Sequence, residues 1–106
     1  MNIRKSPTEA ELEILLILWQ HEPCTVRMVY DRISRYKKLG YTTTLKLMQI
    51  MHAKDLLSRT EDNRKHFYVA KIKKEDFRKA ELKKLIDNLF DGSSEELIKE
   101  LKKGDY

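Results

Sequence analysis

The 106 residues predict a mostly α fold with one small β-hairpin. Three observations lead there: apolar residues recur at helical spacing through three segments of the first half, strand-type residues then flank a single polar turn, and helical spacing returns for the last third. Hydrophobic residues make up 41% of the chain and charged residues 37%, enough for a modest core beneath a heavily solvated surface.

Thr8 and Glu11 stand at S/T-x-x-E spacing just after Pro7, which predicts a capping box and a first helix from about Thr8 to Gln20. Leu12, Leu15, Leu16 and Trp19 follow the i, i+3, i+4, i+7 pattern, and Ile14, Ile17 and Leu18 widen it until the helix is apolar nearly all round, as a central core helix should be. His21-Glu22-Pro23 stops it. Thr25 is the expected N-cap of a second helix reaching about Tyr36, with Val26, Val29, Tyr30 and Ile33 inward. The basic turn Lys37-Lys38-Leu39-Gly40-Tyr41 follows.

A third helix is expected over 42–54, with Thr44, Leu47, Met48 and Met51 inward and Thr43, Leu45, Lys46, Gln49 and Ile50 on other faces. Two short helices joined by a Gly-containing turn outline a helix-turn-helix. Leu56 to Thr60 and His66 to Ala70 have strand composition around the charged stretch Glu61-Asp62-Asn63-Arg64-Lys65, so 56–70 reads as a hairpin with a basic tip. A hairpin in that place is a wing, which makes the head a winged helix-turn-helix.

From Lys74 a stripe of Phe77, Leu82, Leu85, Ile86, Leu89 and Phe90 predicts a helix to about Phe90. Asp91-Gly92 breaks it, and Ser93 with Glu96 opens a short helix carrying Leu97, Ile98 and Leu101. A chain this short has little left to cover these residues. Self-association through them is expected, giving a two-fold dimer that reads two half-sites. The division expected is a head over 1–72 and a C-terminal helical dimerisation segment over 73–106.

The net charge of +5 is unevenly placed. Between Arg27 and Lys65 ten Lys or Arg face four Asp or Glu, whereas Lys73 to Tyr106 holds nine of each. The excess on the second and third helices and the wing suits a polyanion. Short hydroxyl side chains at the front of a recognition helix can donate to phosphates and allow close approach, while longer polar ones reach base edges. Thr42, Thr43, Thr44, Lys46 and Gln49 are of these types, and Arg59, Arg64 and Lys65 can neutralise phosphates from the wing. The blander alternatives are Thr42 as a simple N-cap, Lys46 as a solvated lysine, and a hairpin edge protected by charge. Lys37 and Lys38 can equally be a basic turn with no partner.

Three glycines leave no room for a phosphate-cradling loop, and no Ser, His and acid constellation appears, so no enzyme and no cofactor are expected. His21 and Cys24 have H-x-x-C spacing, but two ligands do not close a metal site, and a structural role is expected. His52 and His66 read as packing or surface residues. A single cysteine excludes an intramolecular disulfide and fits a reducing compartment. Met1 to Ser6 has no apolar run of signal-peptide type, and Ile14 to Trp19 is too short to span a membrane, so a soluble cytoplasmic protein is expected.

Thr8 to Leu15 with Leu18-Trp19, then Tyr41 to Lys46, then Arg64 to Tyr68 and Leu89 to Ser93 together resemble the penicillinase repressor family, nearly end to end and in order. That resemblance implies a homodimeric winged-helix repressor covering a palindromic operator. It places Thr43, Thr44 and Lys46 where the family's recognition helix meets the groove, and a shift of one position in the base-reading register would put Leu45 or Gln49 in place of one of them. It puts Arg64 at the basic place of the wing, and the tail at the dimerisation part. Family members usually run on for another helix beyond Gly104-Asp105-Tyr106, implying a shortened protein or a reduced dimer interface. Where the β-lactam-responsive members are cut at an Asn-Phe bond this chain reads Lys99-Glu100, and the C-x-C motif of the copper-responsive members has no counterpart. Neither induction route carries over, and no sensor or protease is identified. The competing reading is a winged-helix module that docks a partner protein without reading DNA; it would make Lys37, Lys38, Arg64 and Lys65 dispensable and Leu85, Ile86 and Leu89 sensitive.

Overall fold

The computed structural model describes residues 6–106, so most of the N-terminal stretch read for a signal peptide lies outside the described residues. Helix α1 (Glu9–His21) opens with the capping box: the Glu11 amide donates to Thr8 Oγ1 at 3.2 Å and the Thr8 amide donates to Glu11 Oε1 at 2.9 Å. The buried stripe runs one residue out of phase with the expected one. Glu11, Ile14, Leu15 and Leu18 face inward with Ile17, while Leu16 is exposed. A carboxylate can occupy that stripe because Lys54 Nζ reaches both of its oxygens at 2.9 Å.

Helix α2 (Val26–Ile33) is capped by Thr25, whose hydroxyl accepts from the Met28 amide at 3.2 Å. It ends three residues before the expected Tyr36. The Arg35 and Tyr36 amides bond back only three residues, to Arg32 and Ile33 carbonyls, tightening the last turn, and Tyr36 is exposed. Lys37 then reaches Glu13 of α1 at 2.7 Å, which makes this part of the basic turn a structural tie. That contact holds the Lys37 ammonium above its ordinary pKa, chiefly through the hydrogen bond to Glu13.

Helix α3 (Tyr41–Ala53) starts from Gly40, not Thr42, so Thr42 is not a cap. Its end turns through Asp55 at φ 68°, with Leu56 N donating to Met51 O and Asp55 N to His52 O. Strands β1 (Leu57–Asp62) and β2 (Lys65–Ala70) pair antiparallel from Leu57 opposite Ala70 to Asp62 opposite Lys65. Glu61, Asp62 and Lys65 therefore belong to the ladder and not to the expected loop. The turn is Asn63-Arg64 alone, both left-handed at φ 51° and 66°, the pair of conformations a two-residue type I′ connection needs. Cys24 and Tyr68 exchange backbone hydrogen bonds of 3.0 and 2.8 Å, sewing the link between α1 and α2 onto β2. Trp19 Nε1 donates to Ile72 O at 2.9 Å.

The core lies where α1, α2 and α3 meet the base of the hairpin: Ile14, Leu15, Leu18, Val29, Ile33, Met48, Met51, Leu56, Leu57 and Tyr68. The chain forms two compact units, one ending at Lys73 and the other covering Lys74–Tyr106. The second holds α4 (Lys74–Leu89) and α5 (Ser94–Lys103). Gly92, at φ 78°, helps turn the chain between them, and Ser93 Oγ accepts from the Glu96 amide at 3.2 Å. Neither helix buries a residue: Leu82, Leu85, Leu89, Ile98 and Leu101 are exposed, and Phe77, Ile86, Phe90 and Leu97 are half-buried. No helix among the described residues is long and apolar enough to cross a membrane.

Candidate nucleic-acid interface

Inward packing of Thr44, Met48 and Met51 forces the other faces of α3 outward. Thr42, Thr43, Lys46 and Gln49 are all exposed. Thr44 is not: it has no accessible surface, and its hydroxyl donates to the Gly40 carbonyl at 2.9 Å. Its expected part in a nucleic-acid contact is thus corrected, since the side chain is spent holding the first turn of α3. Gly40 brings no side chain to that turn, so the amides at the start of the helix have no side-chain cap. An uncapped helix start favours negative charge.

Beside α3 the structure forms a groove of about 420 Å³ between helix and wing. Gln49 and Leu45 line it from α3, Arg59 from β1, Arg64 from the turn, and Lys65, His66 and Tyr68 from β2. Gln49 of α3 and Arg59, Arg64 and Lys65 of the wing, all expected at the interface from their residue types, are brought together by folding. Thr42, Thr43 and Lys46 are exposed on the same helix but do not line the groove. No Asp or Glu is among the described residues that line it. Arg59, Arg64 and Lys65 also form no ion pair with a described residue, whereas Lys37, Lys54 and Lys71 are paired with Glu13, Glu11 and Asp55. Cations left unpaired along one concave strip concentrate positive potential there.

Sequence reasoning missed six residues of this groove: Thr25, Val26 and Arg27 at the start of α2, Tyr41 at the start of α3, and His66 and Tyr68 of β2. A signal for Arg27 existed. It lies in the first turn of α2, off the Val26, Val29, Ile33 stripe and one turn before Tyr30.

His21 and Cys24, with their H-x-x-C spacing, come together through the main chain. Cys24 Sγ donates to the His21 carbonyl at 3.3 Å, and burial pushes the thiol pKa up, away from the thiolate a metal requires. Among the described residues no three His, Cys, Asp or Glu side chains gather as a metal site would need. His52 packs edge-on to Tyr68 with ring centroids 6.4 Å apart, and His66 is exposed 3.7 Å from Glu61.

Known proteins resemble this chain in both sequence and fold. It is 22% identical over 89 residues to a penicillinase repressor of Staphylococcus aureus, a match covering 84% of this chain and 71% of that one. It is 34% identical over 61 residues to the transcriptional regulator BlaI of Mycobacterium tuberculosis, covering 57% of this chain and 44% of that protein, less than half its length. The fold matches the solution structure of the DNA-binding domain of the repressor BlaI, with a TM-score of 0.62 and 21% identity over 72% of this chain and 93% of that one. It also matches the monomeric Bacillus licheniformis BlaI in complex with the blaP half-operator, at a TM-score of 0.61 and 21% identity over 72% of this chain and 93% of that one. The penicillinase repressor family model matches residues 7–105, and with nearly its whole length accounted for the chain belongs to that family.

Proposed function

We propose that this protein is a DNA-binding transcriptional repressor that seats α3 at an operator and grips the flanking phosphates with the wing. The carrying observation is the carboxylate-free groove in which Gln49 meets Arg59, Arg64 and Lys65. Exposed Thr42 and Thr43 at the uncapped start of α3 supply short donors to phosphate, and Lys46 and Gln49 are long enough to reach base edges. Residues 1–72 act as the DNA-binding domain and 73–106 pair with a second copy through the exposed apolar faces of α4 and α5. Two heads then match the two halves of a palindromic operator. Repression follows from occupancy, in the cytoplasm, with no chemical step. A module that only docks proteins does not require Arg59, Arg64 and Lys65 to line one groove together, without ion-pair partners among the described residues.

Duplex binding measured over a salt series tests this reading. Arg64→Ala is expected to weaken binding to every sequence and to lower the slope of log affinity against log salt by about 1, while Lys46→Ala relaxes sequence preference. Absence of any preference for fragments selected from genomic DNA over random duplex, at physiological salt, overturns it.

A further inference from the structure

Arg27 enters the cationic groove from α2, an element outside both α3 and the wing. Its guanidinium carbon lies 5.5 Å from the centre of the Tyr30 ring and 6.0 Å from that of Tyr41. The two rings meet edge to face, with centroids 5.7 Å apart and planes at 78°. Its Nε pairs with Asp31 Oδ1 at 3.3 Å, and 69% of the side chain stays exposed. A free surface arginine gives up rotamer freedom when it grips an anion; here the contacts to Tyr30, Tyr41 and Asp31 favour one placement before any anion arrives. The guanidinium carbon lies over both rings and Asp31 engages Nε, and neither contact uses the two Nη groups as hydrogen-bond donors, the fork suited to paired phosphate oxygens.

We propose that Arg27 is a third backbone arm of the DNA interface, held at the α2 rim of the groove by Tyr30 and Tyr41 and gripping a phosphate beside the segment that α3 reads. The proposal rests on the DNA reading of the groove. Tyr41 is a positioning residue: as the first residue of α3, it ties the place of the arm to the start of the recognition helix.

The test uses the full chain, a duplex selected from a random pool and an unrelated duplex, with binding followed by fluorescence anisotropy across a salt series. Arg27→Ala is expected to weaken both duplexes equally, by about tenfold, and to lower the salt slope by about 1. Arg27→Lys keeps the slope, because the charge remains, with part of the affinity. Tyr41→Leu weakens binding about threefold when Arg27 is present and has no further effect on the Arg27→Ala protein, whereas Tyr41→Phe matches the parent. Melting curves confirm that each variant is folded; if Arg27→Ala is not, the drop in affinity of Arg27→Lys at unchanged slope is the readout. An Arg27→Ala protein with parental slope and affinity overturns the arm, and equal Tyr41→Leu losses with and without Arg27 overturn its positioning. A parent chain that binds no duplex overturns the DNA reading itself, a separate result.

Discussion

Arg64 holds a left-handed backbone at the tip of the wing, a conformation that costs a residue with a side chain about 1 kcal/mol relative to glycine. Asn63 before it tolerates that region through its short polar side chain, and glycine is the common choice after asparagine in such turns. An arginine there puts a charge in the cationic groove at the expense of hairpin stability. Arg64→Gly is therefore expected to raise the melting temperature by several degrees while weakening duplex binding. Thermal melts and anisotropy on the same samples check both halves, and a variant that is both less stable and unaltered in binding refutes the trade. The missing Gly also explains why Glu61, Asp62 and Lys65 read as loop. Without an Asn-Gly pair, a tight turn and a five-residue one look alike in sequence.

Between elements, the Glu11 to Lys54 pair ties the first turn of α1 to the end of α3. Burial by itself raises the Glu11 pKa, but the Lys54 hydrogen bond and charge, with the Thr8 amide, outweigh it and hold the carboxyl below its ordinary 4.5. A depressed carboxyl stabilises the fold at all pH values above the unfolded pKa and loses that contribution as pH falls through the folded one. Stability is thus expected to be level near neutrality and to decline from about pH 4.5 downward, and Glu11→Gln flattens that decline. At pH 7 Lys54→Met costs about 2 kcal/mol by stranding the carboxylate, less than for a fully buried pair because Lys54 keeps 32% of its side chain exposed. Urea titrations at several pH values measure both effects. This pair also shows why the phase of α1 was hard to read. When Leu12, Ile14, Leu15, Leu16, Ile17 and Leu18 surround a helix, apolar spacing cannot say which residues face inward, and a glutamate is taken for surface until its lysine, 43 positions away, is in place. Local signals fared better: Thr8, Thr25 and Ser93 cap where their hydroxyls and spacing indicated.

For the whole molecule, the proposed division of labour between a basic head and an electrically balanced tail leads to a different kind of test. Because α4 and α5 bury nothing of their own, polar changes on the stripe should leave the head intact. Leu85→Ser with Leu89→Ser is expected to change the intrinsic stability of the head by no more than about 0.5 kcal/mol, while abolishing the proposed dimer and with it any dependence of the melting temperature on protein concentration. Affinity for a two-half-site duplex then falls and that for one half-site does not. Sedimentation velocity decides: a double variant that remains dimeric removes the tail from the interface. The element order was legible from periodicity and caps, and so were the cations of the wing. Spacing along α2 marks Arg27 only as lying off the buried stripe and one turn before Tyr30; its meeting with Tyr41 depends on two helix starts coming together in space, which no spacing along the chain encodes.

The exchange of backbone hydrogen bonds between Cys24 and Tyr68 makes the hairpin a cantilever. Its root is clamped by a third segment of chain and by buried Leu57 and Tyr68, while every residue from Arg59 to His66 stands in solvent. Bending is then confined to the outer half. In the proposed complex, the arginine at the tip can then follow a backbone of varying groove width while α3 keeps its seat on the core.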